Sequence, residues 1–562
     1  MADGTMTSPV FNVGLLLDEV ARTQPDGTAI AVAGKRDAQG KRQYDTISFA
    51  QLAKDSTVIA AGLAKMGVTP GTRMALMVKP GIDFVSLVFA LYKVGAISIL
   101  IDPGMGKKNV LSCLDQVKPE GFVAIPIVHA IRKLCGRRYR DAKLNVTAGR
   151  KWFWGGATVE ELRRTDVGDF QPFQATADDK AAIIFTSGST GPPKGVEFRH
   201  EGFRRQVEFI QERYAIEPGD VDVQGFPLFG LFNSAMGVTS VIPEMDFSRP
   251  ATVDPRNILE AVTDWEATQS FASPAVWNSV GQFCERENLW MPSLKRVLSA
   301  GAPVPPHVLK RMKKAAPNAE MYTPYGATEA LPVASISASE VLGETIERSN
   351  EGGGTCVGSR FSSIDWQVIA ISDEAIETVE QVQPLPRGEI GELIVRGPVI
   401  TRRYATSDEA TRMSKIVDGD AVWHRMGDVG YLDTQDRFWF CGRKSHRLET
   451  AEGPMFTIPV ESIFNTHEKI FRSALVGIGQ RGEQMPVVIV QPWPGMYPDT
   501  PQEIDQLLDE LREIGNKNAL TQRIDHFLLH PNFPVDVRHN SKIFREKLTV
   551  WAEERLETMA AH

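Results

Sequence analysis

The sequence predicts an α/β protein: a large N-terminal domain of mixed and parallel sheets with helices, then a small C-terminal α+β domain. The first observation is a strand–helix–strand pattern over residues 74–78, 82–94 and 96–101, closing on Asp102-Pro103. Short apolar runs on either side of a helical stretch form a right-handed crossover in a parallel sheet. The second is the recurrence of short apolar strands at 181–185, 296–299 and 392–395. Sheets of this kind bind ligands at the C-terminal ends of their strands. The third is a change of character at 442–447. Upstream of it, 427–431 and 437–441 read as a tight turn and short strands. Downstream, Ile504, Leu507, Leu508, Leu511 and Ile514 mark one apolar face of a helix docked on its own small domain. The domains are expected at 1–444 and 445–562.

A chain of 562 residues exceeds what one core supports. Its composition, 42% hydrophobic and 23% charged, is that of a globular protein, and its net charge of −8 gives no overall attraction to nucleic acid. The densest basic cluster, Arg132, Lys133, Arg137, Arg138 and Arg140, reads as a solvated face, with an anionic lipid or a partner as the alternative. Cys113, Cys135, Cys284, Cys356 and Cys441 are scattered without a CxxC pair, which argues against a disulfide framework or a metal site and fits a reducing cytoplasm. The N-terminus shows no signal-peptide pattern. The longest apolar stretch, 84–101, is interrupted by Lys93 and Gly95, so no membrane span is expected.

The strand at 181–185 empties into Thr186-Ser187-Gly188-Ser189-Thr190-Gly191-Pro192-Pro193-Lys194-Gly195. Glycines let the backbone approach a ligand closely, hydroxyls add donors and the lysine adds charge, a combination suited to a polyphosphate. The loop is not of the Walker type, because Gly195 follows the lysine where that motif has Ser or Thr.

This loop resembles the phosphate-binding signature of the adenylate-forming superfamily, whose members activate carboxylates with ATP. The superfamily's other signatures follow in order. The stretch from Tyr322 to Glu329 resembles the second, and by that resemblance Tyr325, beside Gly326, stacks on adenine, Thr328 contacts the α-phosphate and Glu329 holds Mg²⁺. Magnesium favours hard oxygen ligands, often one or two carboxylates plus phosphates. A structural alternative has Glu329 merely capping a helix. Gly301, Ala302 and Pro303 resemble the turn that lines the adenine pocket. Asp428 matches the ribose-binding aspartate, and Arg443 the arginine that approaches the ribose at the domain junction. The residue at the expected hinge is Ser445, where the superfamily commonly has Asp or Lys. Lys542 aligns with the C-terminal lysine that offsets charge in the transition state. His200 falls where the superfamily often has His or Asn, with a structural role as the alternative to a ligand contact. The resemblance implies a mobile C-terminal domain.

Phe226-Pro227-Leu228-Phe229-Gly230-Leu231-Phe232 places Gly230 where acyl-CoA ligases carry a gating histidine. The glycine is expected to leave room for substrate in an acyl pocket built from Phe229, Phe232, Phe271 and Trp277, core aromatics being the alternative. This segment, together with 100–106, 441–447 and 534–542, resembles the olefin β-lactone synthetase branch. That branch implies ATP-dependent adenylation of a 2-alkyl-3-hydroxy fatty acid, attack by the substrate's own hydroxyl, and release of a β-lactone, AMP and pyrophosphate. Association with other hydrocarbon-biosynthesis enzymes is a further implication. A medium- or long-chain fatty acyl-CoA synthetase is the alternative enzyme, and a non-catalytic acyl-binding scaffold the alternative of another class. No residue in the sequence stands out as a general base for the hydroxyl.

Overall fold

The computed structural model describes residues 10–186, 192–536 and 543–560. Among them the strands form sheets of fourteen, seven, three and two strands. The seven-stranded sheet contains the expected crossover: Arg73–Met77 and Ile97–Leu100 run parallel, joined by the helix Ile82–Lys93. That helix is buried continuously from Phe84 to Lys93, which explains its apolar character on all sides. Lys93 is tolerated there because its ammonium pairs with Asp18 at 2.6 Å and donates to Ala53 O, Ser56 and Thr57. Lys180–Phe185 continues the parallel sheet, and Gly195–Arg199 returns antiparallel beside it. The glycine-rich loop is therefore the link between two paired strands.

The largest sheet has a parallel centre, in which Val221–Gln224, Thr239–Ile242, Gln269–Ala272, Arg296–Ser299 and Glu320–Ala327 are neighbours. Side chains alternate across a strand, so this centre separates two cores. Val223, Val241, Ala272 and Val297 face one of them. Phe271 and Leu298 face the other, beneath the helix Phe229–Met236.

One sequence expectation needs correction. The 427–431 segment is no turn but lies inside one long strand, Ala421–Leu432. Gly427, at φ +66°, is absorbed as an irregularity in the pairing with Gly391–Arg396, between the Glu392–Val429 and Ile394–Arg425 pairs. The 392–395 strand belongs to the antiparallel half of the sheet, paired with Asp365–Ile369 and Ala421–Leu432. A short apolar run reports burial and says nothing about strand direction.

Strands up to Arg443 belong to the two large sheets, and those from Leu448 onward form separate small ones. Ile470–Ile478, Met485–Pro492 and His526–Leu529 make the three-stranded sheet. The helix Pro501–Asn516 buries Leu507 and Leu511 against Phe464, Val488 and Phe527, so its apolar face is docked within this part of the chain. Among the described residues no helix is long and apolar enough to cross a membrane.

Candidate active site

The ends of the glycine-rich loop are held together, with the Thr186 N–H donating to Lys194 O at 3.1 Å. Ser187, Gly188, Ser189, Thr190 and Gly191 lie outside the described residues. Lys194 is exposed, and its ammonium lies 5.5 Å from the centre of the Tyr404 ring. The Tyr404 hydroxyl in turn donates to Glu329 Oε1 at 2.6 Å. Tyr404 thus brings the loop lysine and the predicted magnesium-binding carboxylate to opposite sides of one side chain. Burial, and then the Glu329 charge, push the Tyr404 phenol far above its ordinary range, so it remains a donor.

Thr328 and Glu329 form the turn between Glu320–Ala327 and Ala330–Ser337, which excludes the helix-capping alternative. Gly326 is needed for that turn: a Cβ there would meet Ala330 O at 2.6 Å and Leu331 Cδ1 at 2.8 Å. The Glu329 carbonyl accepts from the Thr401 N–H at 2.9 Å and the Thr401 hydroxyl at 3.0 Å. Among the described residues no group of three or more His, Cys, Asp or Glu side chains is arranged to hold a metal ion. The half-buried Glu329 carboxylate nevertheless suits a magnesium ion held mainly by nucleotide phosphates, since magnesium commonly takes only one or two protein carboxylates.

On the neighbouring strands, Asp428 and Arg443 sit directly opposite one another, with Nη1 of Arg443 2.8 Å from Oδ1 of Asp428. Oδ2 of Asp428 accepts from the Tyr325 hydroxyl. Burial raises the Asp428 carboxyl, opposed chiefly by the Arg443 charge. Burial and the Asp428 charge raise the Tyr325 phenol well above its ordinary value. Two of the roughly four acceptor positions of a carboxylate are engaged, which leaves capacity for a diol. Gly301, at φ +96°, with Ala302 and Pro303, follows the Arg296–Ser299 strand and so emerges beside the Tyr325 strand.

The 301–303 turn follows a parallel strand at its C-terminal end, where such sheets bind ligands, while Asp428 and Arg443 come from the antiparallel half. A family model described as AMP-binding enzyme matches residues 17–405. The chain belongs to the AMP-binding enzyme family. It is 44% identical over 99% of its length to the olefin beta-lactone synthetase of Xanthomonas campestris pv. campestris, covering all of that protein. It is 43% identical over 98% of its length to the olefin beta-lactone synthetase of Stenotrophomonas maltophilia, covering 99% of it. Its fold is that of the amide bond synthetase McbA from Marinactinospora thermotolerans, with a TM-score of 0.77, 19% identity, and coverage of 96% of this chain and 99% of that one. The ATP-bound MatB from Rhodopseudomonas palustris superposes with a TM-score of 0.76 at 19% identity, over 96% of this chain and 99% of that one. The protein is thus an ATP-using, adenylate-forming ligase.

Within this family fold the aromatic wall differs from the sequence expectation in two places. Phe229 and Phe271 stack at 4.6 Å with planes 5° apart, and Phe226 and Phe232 flank them at 5.9 Å. Trp277 does not join them. It is wholly buried in the other core, on the Ala272 side of the sheet, and donates to Leu298 O at 3.1 Å. The alternation of side chains along Gln269–Ala272 puts Phe271 and Ala272 on opposite faces, and the helix Pro274–Glu287 packs Trp277 on the Ala272 side. The space beside Gly230 is also not open, because a Cβ there would meet Gln224 Nε2 at 2.4 Å. The Gln224 carboxamide fills the niche, and its Nε2 has no protein hydrogen-bond partner.

Gln224, Tyr404 and Lys415 went unnoticed in the sequence. Lys415 is fully buried, donates to the Thr401 carbonyl, and is lowered to about 7 by burial, against the opposing effect of Glu329. Of the three, only Gln224 had a sequence signal: a long polar residue ending the alternating Val221–Gln224 strand immediately before the Gly225–Gly230 segment. His200 is wholly buried and accepts the Val13 N–H at 3.3 Å through Nδ1, which makes it a structural anchor. Lys542 lies outside the described residues.

Proposed function

We propose that the protein adenylates a 2-alkyl-3-hydroxy fatty acid and closes the acyl-adenylate to a β-lactone. The observation that carries this reading is the match at 44% identity, along 99% of the chain, to an olefin beta-lactone synthetase. In the first step a carboxylate oxygen attacks the α-phosphorus of ATP and pyrophosphate leaves. Lys194 and the donors of the 186–195 loop bind the phosphates, Asp428 takes the ribose hydroxyls with Arg443 beside it, and Tyr325 and the 301–303 turn hold the base. Thr328 would contact the reacting phosphate and Glu329 would hold a magnesium ion, which would supply positive charge against the departing pyrophosphate. Lys542 offsets the negative charge that develops there. The 445–562 region acts as a lid turning at residues 444–445.

In the second step the 3-hydroxyl oxygen attacks the acyl carbonyl, the hydroxyl proton is released, and AMP departs. Tethering supplies the effective concentration, so no second substrate is needed. Phe226, Phe229, Phe232 and Phe271 form the acyl wall. Gln224, with a donor lacking a protein acceptor, is the polar group in that wall that receives the substrate's oxygen functions.

Mass spectrometry of products from ATP, Mg²⁺ and a 2-alkyl-3-hydroxy acid tests this. The expected product is lighter than the acid by one water, appears with AMP and pyrophosphate, and forms without coenzyme A. The matching acid lacking the 3-hydroxyl gives only acyl-AMP or its hydrolysis. A strictly coenzyme A-dependent thioester from both acids would leave adenylation standing and remove lactone formation.

A further inference from the structure

One surface of the chain combines exposed apolar side chains with concentrated positive charge. The helix Pro126–Leu134 packs His129 and Arg132 inward. Its outer face carries Ile127, Ile131 and Leu134, exposed at 60%, 42% and 87%, at the i, i+4 and i+7 spacing of one helical stripe. Beside it, the loop after Leu144–Thr147 exposes Trp152 at 59% and Phe153 at 75%. Five of the fourteen large apolar side chains exposed among the described residues therefore fall between 127 and 153.

The arrangement is built rather than frayed. Trp154 is buried, stacks on His129 at 5.7 Å and donates to Thr147 Oγ1 at 2.9 Å. Trp152 and Phe153 pack on it at 5.5 and 5.4 Å. Loop and helix are thereby fastened together, and the exposed rings cannot fold inward because Trp154 already fills the position beneath them.

The charge is equally localised. Residues 126–153 carry eight Lys and Arg against one Asp, a net +7 in a chain whose total is −8. Asp115 and Glu161 reach into the patch and pair with Arg138 and Lys151. Lys133, Arg140, Lys143 and Arg150 are exposed without an ion-pair partner among the described residues.

From these observations we infer that this face docks on an anionic lipid surface. Bulky apolar side chains flanked by unpaired cations are what a peripheral protein presents to the headgroup boundary: rings and aliphatic groups enter the acyl region while ammonium and guanidinium groups meet lipid phosphates. A solvated face would leave Leu134 and Phe153 in water with nothing gained, and patches of this kind mark interaction sites. Ile127, Trp152 and Phe153 lie at the edge of the seven-stranded sheet where the Gly121–Ala124 and Leu144–Thr147 strands end. The parallel Lys180–Phe185 strand ends at that same edge. Docking there sets the nucleotide loop's side of the molecule toward the bilayer, where a long-chain acid would reside. The inference holds whatever acid the enzyme activates.

Flotation of the full chain with vesicles tests it, comparing phosphatidylcholine alone with phosphatidylcholine containing phosphatidylglycerol. Wild type floats with the anionic vesicles, less so in high salt, and weakly with the neutral ones. The pair I131E/L134E and the pair W152S/F153S each lose about tenfold or more in binding. The pair K133E/R140E loses a similar factor, about tenfold, on anionic vesicles only. L289E/W290E, at a separate exposed apolar pair, binds as wild type, and thermal unfolding midpoints verify that all variants fold. Binding unchanged in the three patch variants overturns the inference. So does absence of wild-type binding, which assigns the face to an acidic protein surface instead.

Discussion

At the scale of single residues, the ribose contact proposed for Asp428 and the Gly230 niche carry separate predictions. Asp428 has hydrogen-bonding capacity beyond Tyr325 and Arg443, and hydrogen bonds to a charged group contribute about 1.5–3 kcal/mol each. Asp428→Ala is therefore expected to weaken ATP binding about tenfold or more. Tyr325→Phe removes only a bond internal to the protein and leaves affinity within about threefold if its ring, not its hydroxyl, holds the base. Calorimetric titration decides; wild-type affinity in the alanine variant would remove Asp428 from the site. In the niche, a methyl group at residue 230 displaces the Gln224 carboxamide from where it would meet the substrate's oxygen functions, and losing such a hydrogen bond costs about 0.5–1.5 kcal/mol. Gly230→Ala and Gln224→Leu should each slow product formation from the hydroxy acid by about tenfold. Because Gly230 acts through Gln224, the double variant should be no slower than the worse single one. Additive losses in initial rate would show that the two residues act independently.

At the scale of elements, what could be read from the chain was periodicity; what could not was which side of a sheet a residue faces. The crossover at 73–100 was legible because its strands are four or five residues long and its helix is uniformly apolar. Trp277 was misplaced because a helix after a strand can bury its aromatic residue on either face, and the sequence does not say which. The 427–431 segment reads as a turn because Gly427 and Gly430 look like punctuation, whereas one adopts a left-handed conformation within the ladder and the other lies too close to Trp439 O for any side chain. Buried polar side chains were equally hidden. Asp222 lies wholly buried on the Gln224 face of its strand, accepts from Asn233 Nδ2 at 2.7 Å, and is pushed up to about 7 by burial. Its carboxyl is 3.8 when unperturbed, so between pH 4 and pH 7, approximately, the folded state keeps a proton that the unfolded state has released. Stability from this group therefore falls as pH rises through that window. Asp222→Asn retains an acceptor for Asn233 and abolishes the titration. Its gain in Tm over wild type should be larger at pH 8 than at pH 5, and a pH-independent difference would refute the assignment.

At the scale of the molecule, the elements beyond Arg443 touch the larger part through both apolar and polar contacts: Phe456 packs on the cluster of Val429, Tyr431 and Trp439, and the His307 ring lies 6.5 and 5.2 Å from those of Phe471 and Trp493. Arg447 and Arg481 both pair with Asp373, at 2.6 and 2.7 Å, and Asn518 Nδ2 donates to Glu351 O at 3.0 Å. Domains of one chain move relative to one another by default unless a large apolar interface joins them. Both faces of the C-terminal sheet are closed within that part of the chain, by the Pro501–Asn516 helix on one cluster and by Leu548 and Ala552 of the Arg545–Ala560 helix on the other. Its own core therefore stays covered when it turns. Ile543, the residue after Lys542 in sequence, forms an isolated antiparallel bridge with Val535, and both belong to this separate part. A charge delivered by a turning domain acts on the transition state and adds little to the initial binding of ATP. Lys542→Ala should accordingly leave ATP affinity near that of wild type while lowering ATP–pyrophosphate exchange by about 10²–10³-fold, the typical cost of one electrostatic contact to the reacting centre. Exchange supported by the carboxylic acid, measured alongside nucleotide titration, separates the alternatives. Unchanged exchange would deny Lys542 a part in adenylation, and a parallel loss of affinity would make it a binding residue.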